Sequence, residues 1–171
     1  MTPFDLKASL KTMTLIMDTR EQDTERREQR LQVCGLPYER QMLDAGDYSC
    51  VCHLPNGEKV DLTKHVVIER KMNLDELCQC FGRERKRFER EFERAKAAGT
   101  KIYLLVENGN WEKAYNGKYK SLMPPQALIA SINAFRARYG MQLDFCKEGT
   151  TGKVIHDILY RELKEYLGKL P

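Results

Sequence analysis

The stretch HVVIERKMNLDELCQCFGRERKRFEREFERAKAAGTKIYLLVE, residues 65–107, decides the fold. His65-Val66-Val67-Ile68-Glu69 is an apolar, largely β-branched run of strand length, and Ile102 to Val106 is a second one. Between them a helical pattern starts near Leu74, bends or breaks at Gly82 and runs through Ala98, where Gly99-Thr100 stops it. Phe81, Phe88, Phe92 and Ala95 share the face that packs on the sheet, while Arg83, Arg87, Arg90 and Arg94 share another. Strand, helix, strand is the alternation of an α/β fold.

The same alternation continues in both directions. Upstream, Thr12 to Met17 is a short buried-type strand that ends at Asp18-Thr19-Arg20-Glu21. Thr24 to Val33 reads as a helix closed by Cys34-Gly35, and Tyr38 to Leu43 as an extended segment. Tyr48 to Leu54 and Lys59 to Glu69 flank Pro55-Asn56-Gly57, a hairpin signal because Asn-Gly accepts the positive φ of a tight turn. Downstream, Asn108 to Met123 is a polar loop with aromatics, Pro124-Pro125 opens a helix reaching about Tyr139, and Met141 to Phe145 is a last strand before a C-terminal helix. The order predicts a mixed, mainly parallel sheet covered on both faces. In such sheets function gathers beyond the carboxyl ends of strands, where Asp18, Glu21, Glu69 and Glu107 fall.

At 171 residues with 42% hydrophobic residues, the chain suits one domain spanning 1–171. Lys and Arg number 29 against 25 Asp and Glu, a net charge of +4 that permits an anionic partner. No apolar run approaches the roughly 18 residues of a membrane helix, and the N-terminus MTPFDLKASLKTM has no signal core, so an intracellular protein is expected. The six cysteines lack C-x2-C spacing and the three histidines make no i,i+4 pair, which argues for buried reduced thiols over structural zinc.

Chemistry concentrates at Glu69-Arg70-Lys71. Strand alternation points Glu69 and Lys71 to one face, with Asp47 across the hairpin. Carboxylates in this pattern hold a hard cation such as Mg²⁺ or Mn²⁺, which neutralises phosphate charge and acidifies a bound water; the lysine orients that water or stabilises developing charge. A surface ion pair capping a strand would produce the same pattern.

Asp18-Thr19-Arg20-Glu21, Gly46-Asp47, and Glu69-Arg70-Lys71 followed by Asp75 occur in this order, and the series resembles the XPF-type nuclease domain of structure-specific endonucleases that cut branched DNA. The resemblance covers nearly the whole chain from Leu15, with its sharp part between Asp18 and Asp75. It implies an α/β, restriction-endonuclease-like (PD-(D/E)xK) three-layer fold, a central mixed sheet flanked by helices. It also implies that Asp47 and Glu69 are the principal metal ligands, that Lys71 is the catalytic lysine, and that Asp18 and Glu21 complete the acidic pocket. Arg20 and Arg70 would bind phosphate or brace the carboxylates. Asp75 would serve the metal network or hold a basic neighbour, with helix capping as the alternative. The implied cofactor is Mg²⁺, with Mn²⁺ as substitute, and the implied products carry 5′-phosphate and 3′-hydroxyl ends.

The arginine stripe, Arg83, Arg87 and Arg90 in particular, suits a phosphate backbone, against the alternative of Glu–Arg pairing within the helix; Gly82-Arg83 resembles a Gly-Arg of the family. The chain starts with Met and ends at Pro171, so it reads as a stand-alone nuclease domain without helicase or helix-hairpin-helix modules. Family domains pair with a second copy or a partner subunit. Leu128, Ile132 and Phe135, with Ile155, Ile158, Leu159, Leu163, Tyr166 and Leu167, are the expected surface for such a dimer, intramolecular core being the alternative. Gly149 to Lys153 lacks the hydroxyl of a P-loop, so no nucleotide cofactor is expected and a helix cap explains it. Trp111, Tyr115 and Tyr119 among Lys113, Lys118 and Lys120 read as a packed surface loop rather than a base-stacking platform.

Overall fold

The structure is a computed structural model describing residues 1–170. Its elements are α1 (Pro3–Lys11), β1 (Thr14–Met17), α2 (Glu25–Cys34), β2 (Tyr38–Arg40), β3 (Tyr48–His53), β4 (Lys59–Asp61), β5 (Val66–Lys71), α3 (Leu74–Phe81), α4 (Arg85–Ala97), β6 (Lys101–Glu107), α5 (Trp111–Tyr115), α6 (Pro125–Tyr139), β7 (Gln142–Cys146) and α7 (Thr151–Leu167). The strands form one sheet in the order β2-β1-β3-β5-β6-β7, with β4 paired to β3. Pairings β1/β2, β5/β6 and β6/β7 are parallel, whereas β1/β3, β3/β4 and β3/β5 are antiparallel. The sheet is therefore evenly mixed rather than mainly parallel, because the hairpin strand β3 occupies its centre and runs against both neighbours. β3 and β5 meet through a single register pair, Tyr48↔Ile68.

Local signals account for the boundaries. Thr24 accepts the Arg27 N–H at the start of α2, and Gly35 ends that helix at φ +70°. At the corner after β5, Asn73 accepts the Glu76 N–H while the Glu76 carboxylate accepts the Met72 N–H, a two-way cap. The long arm Lys59 to Glu69 is divided, since β4 ends at Asp61 and a turn through His65 precedes β5. Helix α1, opened by Thr2 and Pro3, and the short α5 inside the 108–123 loop add to the sequence reading.

Two apolar layers sandwich the sheet. On one face Leu77, Phe81, Phe88, Phe92, Ile132 and Phe135 of α3, α4 and α6 pack on Val67, Leu104 and Val106. On the other, Leu31 of α2 and Ile155, Leu159, Leu163 and Leu167 of α7 pack on Leu15, Met17, Ile68 and Leu105. Most of the residues expected at a dimer surface, including Leu128, Ile132, Phe135, Ile155, Leu159, Leu163 and Leu167, are thus inside this chain's own core. Helices α2 and α7 approach so closely that a Cβ on Gly152 would lie 2.2 Å from the Arg30 carbonyl oxygen. Backbone contact, not helix capping, explains that glycine, as no side chain caps the start of α7. Five cysteines are buried and Cys146 is half-buried. Among the described residues no helix is long and apolar enough to cross a membrane.

Candidate active site

Alternation along β5 sends consecutive side chains to opposite faces of the sheet, and two ionic groups result. Glu69 and Lys71 face α4. The Lys71 ammonium donates to Glu69 Oε1 and lies 5.3 Å from the centre of the Phe88 ring, and both side chains are buried. Asp47 enters from the start of β3, its Oδ2 accepting the Arg70 N–H at 2.8 Å. Its backbone joins two strands: its N–H donates to the Ile68 carbonyl at 2.8 Å and its carbonyl accepts the Asp18 N–H at 2.8 Å.

Two carboxylates and one ammonium leave this face short of positive charge. Burial, reinforced by the charge of Glu21 and opposed by Lys71 and Arg70, raises the Asp47 pKa to about 7. Burial and the neighbouring Asp47 hold Glu69 well above the ordinary carboxylate value, against the pull of Lys71. Burial opposes the charged Lys71, yet Glu69 and Asp47 together raise its pKa, so the ammonium persists.

The opposite face carries the second group. Arg70 Nη1 donates to Glu107 Oε2 at 3.2 Å, and Thr151 Oγ1 donates to Glu107 Oε1 at 2.7 Å. Arg30 donates to Glu21 Oε2 at 3.2 Å and to the Tyr48 hydroxyl at 2.7 Å, and that hydroxyl donates to Glu21 at 2.7 Å. The Arg30 Nε stands 3.7 Å from Glu107, closing the network.

Of the four carboxylates expected in one acidic pocket, Asp18 and Glu21 are bonded to partners of their own, with Glu21 still near enough to Asp47 to raise its pKa. Among the described residues no cluster of three or more His, Cys, Asp or Glu side chains is arranged to hold a metal ion. Asp18, 1% exposed, accepts the Arg20 N–H (2.8 Å), Arg20 Nε (2.6 Å), Arg20 Nη2 (3.1 Å) and the Leu43 N–H (2.7 Å), which occupies both its oxygens. Burial works against the charged Asp18, but Arg20 and these amides outweigh it and lower its pKa. Glu21 is turned to Arg30 and Tyr48 on the far face. What the structure brings together is Asp47, Glu69 and Lys71.

Asp75 anchors a loop, a task not among those expected of it. Its Oδ1 accepts the N–H groups of Lys120 (2.8 Å) and Ser121 (2.6 Å), anchoring the loop before α6, while Asn73 caps α3. In that region Trp111 is half-buried with its ring 5.5 Å from Phe145, edge to face, which agrees with a packed surface element.

A cleft of about 560 Å³ is lined by five arginines, Arg20, Arg26, Arg30, Arg70 and Arg87, and by two glutamates, Glu21 and Glu76; it opens over the Arg30, Arg70 and Glu21 group and meets Asp47 through the Arg70 N–H. Arg20 and Arg87 thus stand where phosphate contacts were expected. Arg83 and Arg90 do not line the cleft: Arg83 sits in the turn before α4 begins, bonded to Gln79 at 3.2 Å, and Arg90 is exposed elsewhere on the helix. Pairing within the helix also occurs, as Arg87 binds Glu84 at 2.8 Å and Arg85 binds Glu89 at 2.9 Å.

Sequence reasoning missed Arg26, Arg30, Tyr48, Thr151 and Glu91 as members of these groups, and named Glu107 without its partners. A signal existed for two of them. Arg30 is adjacent to Leu31 on the buried side of α2, and Glu91 borders the Phe88, Phe92, Ala95 stripe of α4, where an apolar residue would be expected.

Comparison with known proteins agrees with this architecture. The ERCC4 domain model matches residues 17–158. XPF from Aeropyrum pernix is similar, with a TM-score of 0.63 and 18% identity over 91% of this chain and 67% of that one. A complex of that XPF with DNA gives 0.62 and 19% over 92% and 67%. No curated protein is similar enough to match. The match over most of the chain, on a mixed sheet sandwiched by helices in the restriction-endonuclease-like manner, shows that the chain belongs to the ERCC4, or XPF-type, nuclease-domain family.

Proposed function

We propose that the chain is a divalent-metal-dependent endonuclease that hydrolyses phosphodiester bonds near branches in DNA, in repair, recombination or replication. The observation that carries this reading is the carboxylate pair Asp47 and Glu69 with Lys71 bonded to Glu69, next to Arg70, whose N–H binds Asp47 and which lines an arginine-rich cleft. Two hard oxygen donors with an unbalanced charge suit Mg²⁺ or Mn²⁺, which binds through one or two carboxylates and keeps several waters. Asp47 and Glu69 would hold the cation, which when bound supplies neutralisation of the phosphate and a more acidic water. Lys71, fixed on Glu69, keeps an ammonium where charge develops on the scissile phosphate. Arg20, Arg70 and Arg87 would seat the flanking phosphates, giving sequence-independent and salt-sensitive affinity. A DNA complex of the similar Aeropyrum XPF supports DNA as the partner.

The test is cleavage of labelled splayed-arm, 3′-flap, four-way-junction and linear duplex DNA with Mg²⁺, Mn²⁺ or EDTA, with Glu69→Gln and Lys71→Ala as controls. Metal-dependent cutting near a branch, absent from both variants, is the expected result. Cutting retained in either purified variant refutes the site. Binding without cutting assigns the chain to a non-catalytic subunit, and equal cutting of duplex to a restriction-like nuclease.

A further inference from the structure

Helix α4 turns Phe88, Phe92 and Ala95 into the core, and Glu91 stands half-buried at the edge of that stripe. Its Oε1 accepts the N–H of Gly46 at 2.9 Å, a bond across 45 residues of chain. Gly46 is buried with φ +73°, and a Cβ there would lie 2.8 Å from Val67 Cβ and 3.2 Å from the Ile68 carbonyl oxygen. The chain has little room to enter Asp47 by another route. Asp47 itself is held at its N–H by Ile68 and at its carbonyl by Asp18. The Gly46 amide, like that of Leu43 at the entry to this turn, depends on a side chain, and a buried amide without an acceptor is costly. A carboxylate acceptor makes the bond charge-assisted and stronger.

We infer that Glu91 is a positioning residue: by holding the Gly46 amide it fixes the turn that presents the Asp47 carboxylate to Glu69 and to the bound cation. The inference rests on the reading of Asp47 as a cation ligand. It is tested with two readouts on DNA-free protein, the affinity for Mn²⁺ by calorimetry and the exchange rate of the Gly46 amide by NMR, with Glu93→Ala on the exposed side of α4 as control. Glu91→Ala is expected to weaken Mn²⁺ binding about tenfold or more and to speed Gly46 exchange at least as much. Glu91→Gln, whose amide oxygen can accept the same bond, is expected to stay within about threefold of the parent in both. Parent-like Mn²⁺ affinity in Glu91→Ala overturns the inference. So does a Glu91→Gln variant as impaired as Glu91→Ala, which would assign the role to charge. If the parent binds no Mn²⁺, the cation reading fails and Gly46 exchange alone decides: faster in Ala and restored in Gln supports the positioning of the turn, and unchanged exchange overturns it.

Discussion

Replacing Asp47 by Asn removes a charge that the fold accommodates poorly while keeping an oxygen able to accept the Arg70 N–H. The wild-type carboxyl titrates near 7 in the folded state against an ordinary 3.8. Because the folded form holds this proton more tightly, the group's contribution is complete below about pH 4 and is lost as pH rises towards 7. That interval corresponds to about 4 kcal/mol as an upper bound, and the side chain's partial solvent access brings it to about 2 kcal/mol. For a chain of this length about 2 kcal/mol is about 4 to 8 °C in Tm. Thermal unfolding in EDTA between pH 5 and 8 should therefore show Asp47→Asn progressively more stable than the parent as pH rises, with the full gain above pH 7. Mn²⁺ should raise the parent's Tm and leave the variant's almost unchanged, since the cation relieves the repulsion that Asn has already removed. A variant less stable than the parent at pH 8, or a gain independent of pH, would refute the charge imbalance on which the site is argued.

Other perturbations read other parts of the molecule. Glu107→Ala should destabilise by about 3 kcal/mol in urea titration, because it leaves Arg70 and the buried Arg30 without their shared carboxylate. Gly46→Ala should cost about 2 to 4 kcal/mol from positive φ and overpacking against Val67 combined, seen as a lowered urea midpoint. Asp75→Ala should speed amide exchange at Lys120 and Ser121 while changing Mn²⁺ affinity less than about twofold. Replacing Arg20 and Arg87 together should lower the slope of log affinity for DNA against log salt by about 0.9 for each phosphate that the protein no longer neutralises.

Features governed by short-range periodicity were legible in the sequence. Residues two apart on a strand must share a face, so alternation alone pairs Glu69 with Lys71, and Asn56-Gly57 locates the β3–β4 hairpin. The partners of Asp18 and Glu21 were not legible, for a tertiary reason. Both follow the same strand, yet Arg20 and the Leu43 amide take one, and Arg30 and Tyr48 take the other across the sheet. The Arg30, Arg70, Glu107 and Thr151 network joins α2, β5, β6 and α7, and no local pattern announces a contact among four separate elements. Helix α1 escaped because PFDLKASLK shows no clear apolar stripe, and its inward side packs mainly against β3 and α7.

The narrow join between β3 and β5 has a mechanical consequence. β1–β3 share four register pairs and β5–β6 share six, whereas the central seam has one, supplemented by Asp47 N–H to Ile68, Arg70 N–H to Asp47 Oδ2, and Ser49 Oγ to the Val66 carbonyl. Asp47 rides on one half-sheet and Glu69 on the other, so the two carboxylates act as opposite jaws of a clasp. A small thermal splaying along this line would part the jaws before either apolar layer opened. Heat inactivation should then precede loss of helical ellipticity, and a cation bridging the two halves would rivet the seam as well as arm the site.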